Sequence, residues 1–209
     1  MVRFTIFGFH VTVEFWFWIT CLLLAGGLRP EAYSSVSNLA EMGIWMIAAF
    51  FSVLAHELGH ASMGRRFGAD PEIVLHGFGG VAVMHGSRFN RRQYLLMVAA
   101  GPAASVTLGI LAHLVLLYVP IASKDVVDTL YVVRGINFFW TFINLLPIQP
   151  LDGGLLLRTA LGDRRLNFTC LVGFIVATGM ALLALWGGAV FLTLLMAMLA
   201  FENWRMRPR

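Results

Sequence analysis

From residue 166 to residue 201 the chain runs without a single Asp, Glu, Lys or Arg. A stretch that long and that apolar fits hydrocarbon. There every backbone N–H and C=O has to be satisfied from within the segment, so it forms helix. It is too long for one span, and Trp186-Gly187-Gly188 falls inside it as a turn signal, so the stretch is expected to form two helices, the second short. Four further apolar stretches, residues 15–28, 39–64, 94–119 and 126–146, bring the count to six. The whole chain is 59% hydrophobic and only 12% charged, with a mean hydropathy of +0.79, well outside the balance of a soluble domain. The expected fold class is a polytopic α-helical membrane protein with about six transmembrane helices. No internal repeat, linker or low-complexity segment interrupts it.

Two segments read differently. Between residues 4 and 15 the pattern has a period of two, with Phe7, Phe9, Val11 and Val13 on one side and Gly8, His10, Thr12 and Glu14 on the other. This predicts a short strand leading into the first span. Residues 71–89 hold two short apolar runs, 73–76 and 81–85, joined by Gly77-Phe78-Gly79-Gly80, which read as a hairpin. A small membrane-associated β-sheet, the N-terminal strand plus a hairpin near 72–86, is therefore expected beside the helices. The N-terminus shows no charged region, short apolar core and small-residue cleavage site, so no removable signal peptide is expected. Cys21 and Cys170 both lie in apolar runs and read as packing residues.

The sequence pI is near 9.6 and the formal charge +4, yet the basic residues are spread over short loops between apolar stretches. This argues against a nucleic-acid patch and for membrane topology. With six spans, twelve arginines fall on one side, at positions 3, 65, 66, 88, 91, 92, 158, 164, 165, 205, 207 and 209. The other side receives Arg29 and Lys124, and Arg134 lies within the fourth span. The bias puts both termini in the cytoplasm.

One pentapeptide carries chemistry. In His56-Glu57-Leu58-Gly59-His60 the two histidines stand at i and i+4, on one face of a helix, where they can share a metal ion while Glu57 serves as general base. A hydrolytic zinc site takes three protein ligands and leaves one position for water. The second and fourth spans both run toward the cytoplasm, and the fourth ends in Asn144-Leu145-Leu146-Pro147, followed by Asp152-Gly153-Gly154. Asp152 is the best placed third ligand, although Asp-Gly-Gly also reads as an ordinary turn. Glu57 would take a proton from zinc-bound water and return it to the leaving amine.

The pentapeptide together with Asn144-x-x-Pro147-x-x-x-Leu151-Asp152-Gly153 resembles the signature pair of the site-2 protease family of intramembrane zinc metalloproteases. The glycine-rich stretch 75–86 and Gly101-Pro102-Ala103-Ala104-Ser105 are similar to the family pattern as well. The resemblance implies one zinc per chain held by His56, His60 and Asp152, with Glu57 as catalytic base. It also implies a transmembrane protein as substrate. Gln149 and Ser105 depart from the pattern, which often has Pro and Asn there. Neither is expected to touch a ligand. No PDZ-like or CBS-like domain is expected.

Other polar residues support weaker readings. Asn144 is a candidate for hydrogen-bonding substrate backbone, or caps its own helix. The hairpin, with Gly79 and Gly80 at its turn, offers a free edge onto which an unwound substrate could pair. Arg134 and Asn137 read as snorkelling or helix-packing groups, and His10, His76, His85 and His113 as structural. Gly101 and its small neighbours read as a packing device without chemistry. A single membrane-embedded metalloprotease domain over 1–209 is expected, with a catalytic core at about 39–162, the N-terminal strand and first span at 1–28, and a C-terminal helix pair at 166–204. A membrane metal transporter or sensor is the rival class, but it has no use for a glutamate directly after the first ligand. An idle scaffold would not keep ligands and base together. The expected setting is a prokaryotic plasma membrane, with the active-site end cytoplasmic.

Overall fold

The computed structural model describes residues 1–27 and 33–207. In chain order it contains β1 (Val2–Ile6), β2 (Phe9–Val13), α1 (Phe15–Leu24), α2 (Val36–Arg66), β3 (Asp70–His76) and β4 (Gly79–His85), followed by α3 (Arg91–Tyr118), α4 (Lys124–Asn144), α5 (Asp152–Leu161), α6 (Leu166–Trp186) and α7 (Val190–Arg205). Among the described residues, four helical stretches are long and apolar enough to cross a membrane: Val36–Arg66, Arg91–Tyr118, Lys124–Asn144 and Asp163–Trp186. The chain is thus an integral membrane protein, mostly helical, with four candidate membrane helices where the apolar pattern predicts about six. Of the three remaining helices, α1 and α7 fall in the two other predicted spans, and both are short. At about 1.5 Å per residue, the ten residues of α1 and the sixteen of α7 fall below the roughly 20 residues that a bilayer core needs. The expected end of the first span at Leu28, and the loop charges Arg29 and Arg209, lie outside the described residues. The predicted break at Trp186-Gly187-Gly188 is present, with α6 ending at Trp186 and Gly188 at φ 71°.

The chain divides into two compact units. One comprises Met1–Phe89 and Ala100–Thr141, and it holds a four-stranded sheet in the order β1-β2-β3-β4. β1/β2 and β3/β4 are antiparallel, while β2 pairs parallel with β3 through His10–Glu72, Val11–Ile73, Thr12–Val74 and Val13–Leu75. The predicted single N-terminal strand is in fact a hairpin. Phe7 and Gly8 take left-handed conformations, φ 50° and 76°, which close a two-residue turn. Phe7, predicted on the same face as Phe9, is consequently 79% exposed at the turn tip, whereas Phe9, Val11 and Val13 are buried.

The sheet packs on α1 and α2 around Phe9, Val11, Val13, Phe17, Val53 and Ile73. Arg65 clamps the N-terminal turn to the end of α2. Its guanidinium donates to the carbonyls of Phe7 (3.0 Å) and Gly8 (2.8 Å) and lies 3.5 Å from the centroid of the Phe9 ring. α2 then ends in a Schellman motif, with the Ala69 N–H on the Gly64 carbonyl, the Gly68 N–H on that of Arg65, and Gly68 at φ 89°. This turns the chain directly into β3. The β3–β4 hairpin forms where the sequence predicts it, and Thr20 donates to the Gly77 carbonyl at its turn (2.7 Å). Among the described residues β4 pairs only with β3, leaving its outer edge open.

Arg134 and Asn137 act in helix packing. Asn137, fully buried, donates to Ser52 Oγ on α2 (2.8 Å) and to the Val133 carbonyl (2.8 Å), and Arg134 pairs with His113 of α3 (3.2 Å). The other unit comprises Asn90–Ala99 and Phe142–Arg209, and its core gathers Ile143, Ile148, Ala177, Met196, Leu199 and Ala200.

Candidate metal centre

In α2, residues 48–61 turn a buried face inward, and His56, Glu57 and His60 all lie on it. Burying three titratable side chains is costly unless they share partners or an ion. Nε2 of His56 and Nε2 of His60 stand 3.1 Å apart. Two imidazoles bound at about 2.0–2.1 Å to one tetrahedral zinc would place these atoms roughly 3.3 Å apart, so the pair fits a zinc ion as donors.

The other ring nitrogen of His56 is fixed too. His56 Nδ1 pairs with the fully buried Ser105 Oγ of α3 at 3.0 Å. With Ser105 accepting from Nδ1–H, His56 presents a bare Nε2 toward the metal, as a ligand histidine must. This corrects the expectation that Ser105 touches no proposed ligand, and it brings the 101–105 segment, read as packing alone, against the histidines. Both follow from how closely α2 and α3 approach. A Cβ at Gly59 would press on the Ala100 carbonyl and on Ala104 Cβ (3.0 Å), and a Cβ at Gly101 would run into the His60 ring. The small residues read as packing devices are therefore also clearance for the histidines. Pro102 lies in the interior of α3, not near its start, because the helix begins at Arg91.

We expect Ser105→Ala to weaken zinc binding about 10–100-fold, the range found when the group orienting a ligand histidine is removed. Ser105→Asn, the residue the family pattern often has, should restore it. Chelator competition on the purified variants measures this, and zinc affinity unchanged in Ser105→Ala would refute the role.

Glu57 points to the sheet. A Cβ on Gly80, the second residue of β4, would lie 2.5 Å from Glu57 Cγ and 2.7 Å from Oε1, so the strand backbone passes directly over the carboxylate. Gly79 beside it has φ 129°, a conformation that side chains rarely adopt, and faces the Trp140 ring. The site-forming part of the hairpin is thus its first two strand residues.

Asp152 belongs to the other unit. It is the first residue of α5, buried, with its carboxylate in the first turn, where the helix N-terminus favours negative charge. The two glycines after it are a steric requirement. A Cβ at Gly153 would collide with the Leu145 and Leu146 carbonyls, and one at Gly154 would lie 2.5 Å from the Ile148 carbonyl group. The loop before Asp152 contains a cis Gln149-Pro150 bond and is held from α7. Buried Asn203 accepts from the Gln149 N–H (3.2 Å) and donates to its carbonyl (2.7 Å) and to that of Leu199 (2.8 Å). Sequence reasoning missed Asn203. Its signal was the one side-chain amide of α7, beside Glu202 at the end of an apolar run. Gln149 departs from the family pattern in its side chain, but its backbone is what Asn203 holds. Asn144 is the last residue of α4 and is half-buried.

Among the described residues, His56 and His60 are buried on one face of α2, and Asp152 is buried at the start of α5. Two imidazoles and one carboxylate are a donor set that suits zinc and leaves a position for water. A helix that carries two histidines on one face, with a glutamate directly after the first, is an arrangement that can bind a metal ion and place a general base beside it.

Comparison with known proteins agrees. The family model described as peptidase family M50 matches residues 119–186. A zinc metalloprotease of Methanocaldococcus jannaschii is 29% identical over 162 residues, 77% of this chain and 45% of the relative. The Mycobacterium tuberculosis protein Rip3 is 31% identical over 168 residues, 75% of this chain and 42% of its own length. The chain thus spans less than half the length of these curated relatives. The solved structure of a site-2 protease from Methanocaldococcus jannaschii superposes with a TM-score of 0.71 at 27% identity, covering 100% of this chain and 95% of that one. The chain belongs to the site-2 protease family, peptidase family M50.

Proposed function

We propose that this chain is an intramembrane zinc metalloendopeptidase, hydrolysing peptide bonds within or near transmembrane segments of other membrane proteins. The observation that carries the reading is Glu57, buried directly after His56 and lying against the backbone of Gly80 at the head of an open-edged strand. His56, His60 and Asp152 would hold the ion. Bound there, zinc lowers the pKa of its water toward about 7 and polarises the scissile carbonyl. Glu57 accepts the proton of the attacking water and delivers it to the leaving amine. Ser105 keeps His56 in the tautomer that ligates, and the close passage of β4 limits water around Glu57.

A substrate helix has to unwind before its carbonyls can be attacked, and its freed amides need partners in a medium without water. The open edge of β4 offers them, with Gly79, Gly80 and Asn144 as further substrate contacts. Successive N–H groups on a strand point to opposite sides, so of Val81→Pro and Ala82→Pro one removes a donor from the open edge and the other from the β3 ladder. The edge variant is expected to lower cleavage about fivefold or more, in proportion to one lost hydrogen bond, with zinc content unchanged. Equal loss of zinc and cleavage would count against strand pairing.

In the bilayer we assign six crossings, with α1 and α7 within the two short ones, and both termini and the active-site end in the cytoplasm of a prokaryotic cell. The two units would work as one metalloprotease domain with its core at about 39–162. The reading is tested by purifying the protein, measuring one zinc per chain, and following cleavage of a generic transmembrane substrate. A chelator should stop cleavage and added zinc restore it, and cleavage that survives complete zinc removal would refute the assignment.

A further inference from the structure

At the arginine-rich end of α6 and α7, two hollows are linked by contacts from Asn167 through Arg207 to Trp204. The first is an apolar groove of about 400 Å³ along the two helices, lined by Phe174, Thr178, Ala181, Leu182, Phe201 and Trp204 among others. The second, of about 380 Å³, is bounded by Arg164, Arg165, Asn167 and Phe168. Asn167 stands on the same stripe of α6 as Phe174, Thr178 and Ala181, seven, eleven and fourteen residues on, so it looks along the groove. Its Oδ1 accepts from Arg207 Nε at 2.9 Å, and the Arg207 guanidinium lies 4.6 Å from the ring centroid of Trp204, which lines the groove. The groove therefore runs up to a cation held in place, and the basic hollow shares the asparagine that holds it.

The charges here are unbalanced in a specific way. Arg158 is paired with Asp163 and Arg205 with Glu202. Arg164, Arg165 and Arg207 have no acidic partner among the described residues. The hollow sits where the uncharged, candidate membrane-spanning α6 begins, and a helix that spans a bilayer would meet the phosphate layer at such an end. Basic pockets at such a level bind anionic headgroups.

We propose that this end of α6 and α7 is a binding site for one anionic phospholipid, with its phosphate among Arg164, Arg165 and Arg207 and an acyl chain in the groove below Trp204. The site uses none of the residues proposed for hydrolysis and does not depend on that reading. A soluble phosphate would satisfy the arginines but leave the groove unfilled, and a partner helix would fill the groove without needing the cations. A phospholipid satisfies both.

The test is native mass spectrometry of the full chain after exposure to phosphatidylglycerol or phosphatidylcholine. The protein should retain one phosphatidylglycerol, preferred over phosphatidylcholine about tenfold or more, as two or three interfacial arginines would give. The double variant Arg164→Gln/Arg165→Gln should lose that preference. Leu182→Trp, which crowds the groove, should weaken retention of both lipids alike. The double variant Arg88→Gln/Arg92→Gln removes the same charge elsewhere and should leave the preference intact. Loss of preference in that control would reduce the effect to general surface charge and overturn the proposal. So would ready displacement of the lipid by inorganic phosphate, or retention unaffected by both Arg164→Gln/Arg165→Gln and Leu182→Trp.

Discussion

Glu57→Gln is expected to leave zinc in the protein and to lower the rate of peptide cleavage about 10²–10⁴-fold, the usual contribution of a positioned general base. The substitution is nearly isosteric, so it preserves the packing under Gly80 and leaves His56 and His60 untouched. What it removes is the group proposed to take the water's proton. A transporter built on the same ligands would keep its metal flux in this variant, which separates the two classes. Single-turnover cleavage measured beside zinc content gives the answer. A Glu57→Gln protein that cuts at the wild-type rate would end the proposed mechanism.

Asp152→Asn should act on the opposite quantity. The amide matches the carboxylate in shape, and the loop before it remains held by Asn203 and by the close approach at Gly153 and Gly154, so the fold should survive. The charge does not survive. In the proposed site two imidazoles would be left to hold a doubly charged ion without the one negative ligand. Loss of zinc affinity should exceed the roughly 100-fold upper end seen when mere orienting groups are removed. Equilibrium dialysis against a chelator reads this directly, and full zinc occupancy in Asp152→Asn would exclude the aspartate as a ligand. Glu57→Gln thus loses rate and keeps metal, while Asp152→Asn loses the metal and the rate with it.

How far the sequence revealed this arrangement depended on whether each signal was local. The i, i+4 histidines, the hairpin around Gly77-Phe78 and the break at Trp186-Gly187-Gly188 are written in neighbouring residues, and the structure has all three. The N-terminal hairpin was hidden because Phe7 continues the apolar alternation through its own turn, and only Gly8 marks the reversal. Ser105 and Asn203 were illegible for a different reason. Each is a small polar residue in an apolar helix, and its significance lies in a partner 49 or 54 positions away along the chain. Periodicity reports which face is buried and says nothing of what that face meets.

The parallel pairing of β2 with β3 sets a parity rule on this chain. Two neighbouring strands of one sheet share a depth, so a chain that crosses a bilayer after Val13 has to cross back before Asp70, and the crossings between them come in an even number. If α2 makes one, the stretch before it has to make another, however few helical turns it uses. A sheet of four short strands thereby does what no hydropathy plot can, fixing the count of crossings modulo two. Inserting a single extra span between residues 14 and 35 would have to break the Val11–Ile73 ladder or strand the second helix on the wrong side.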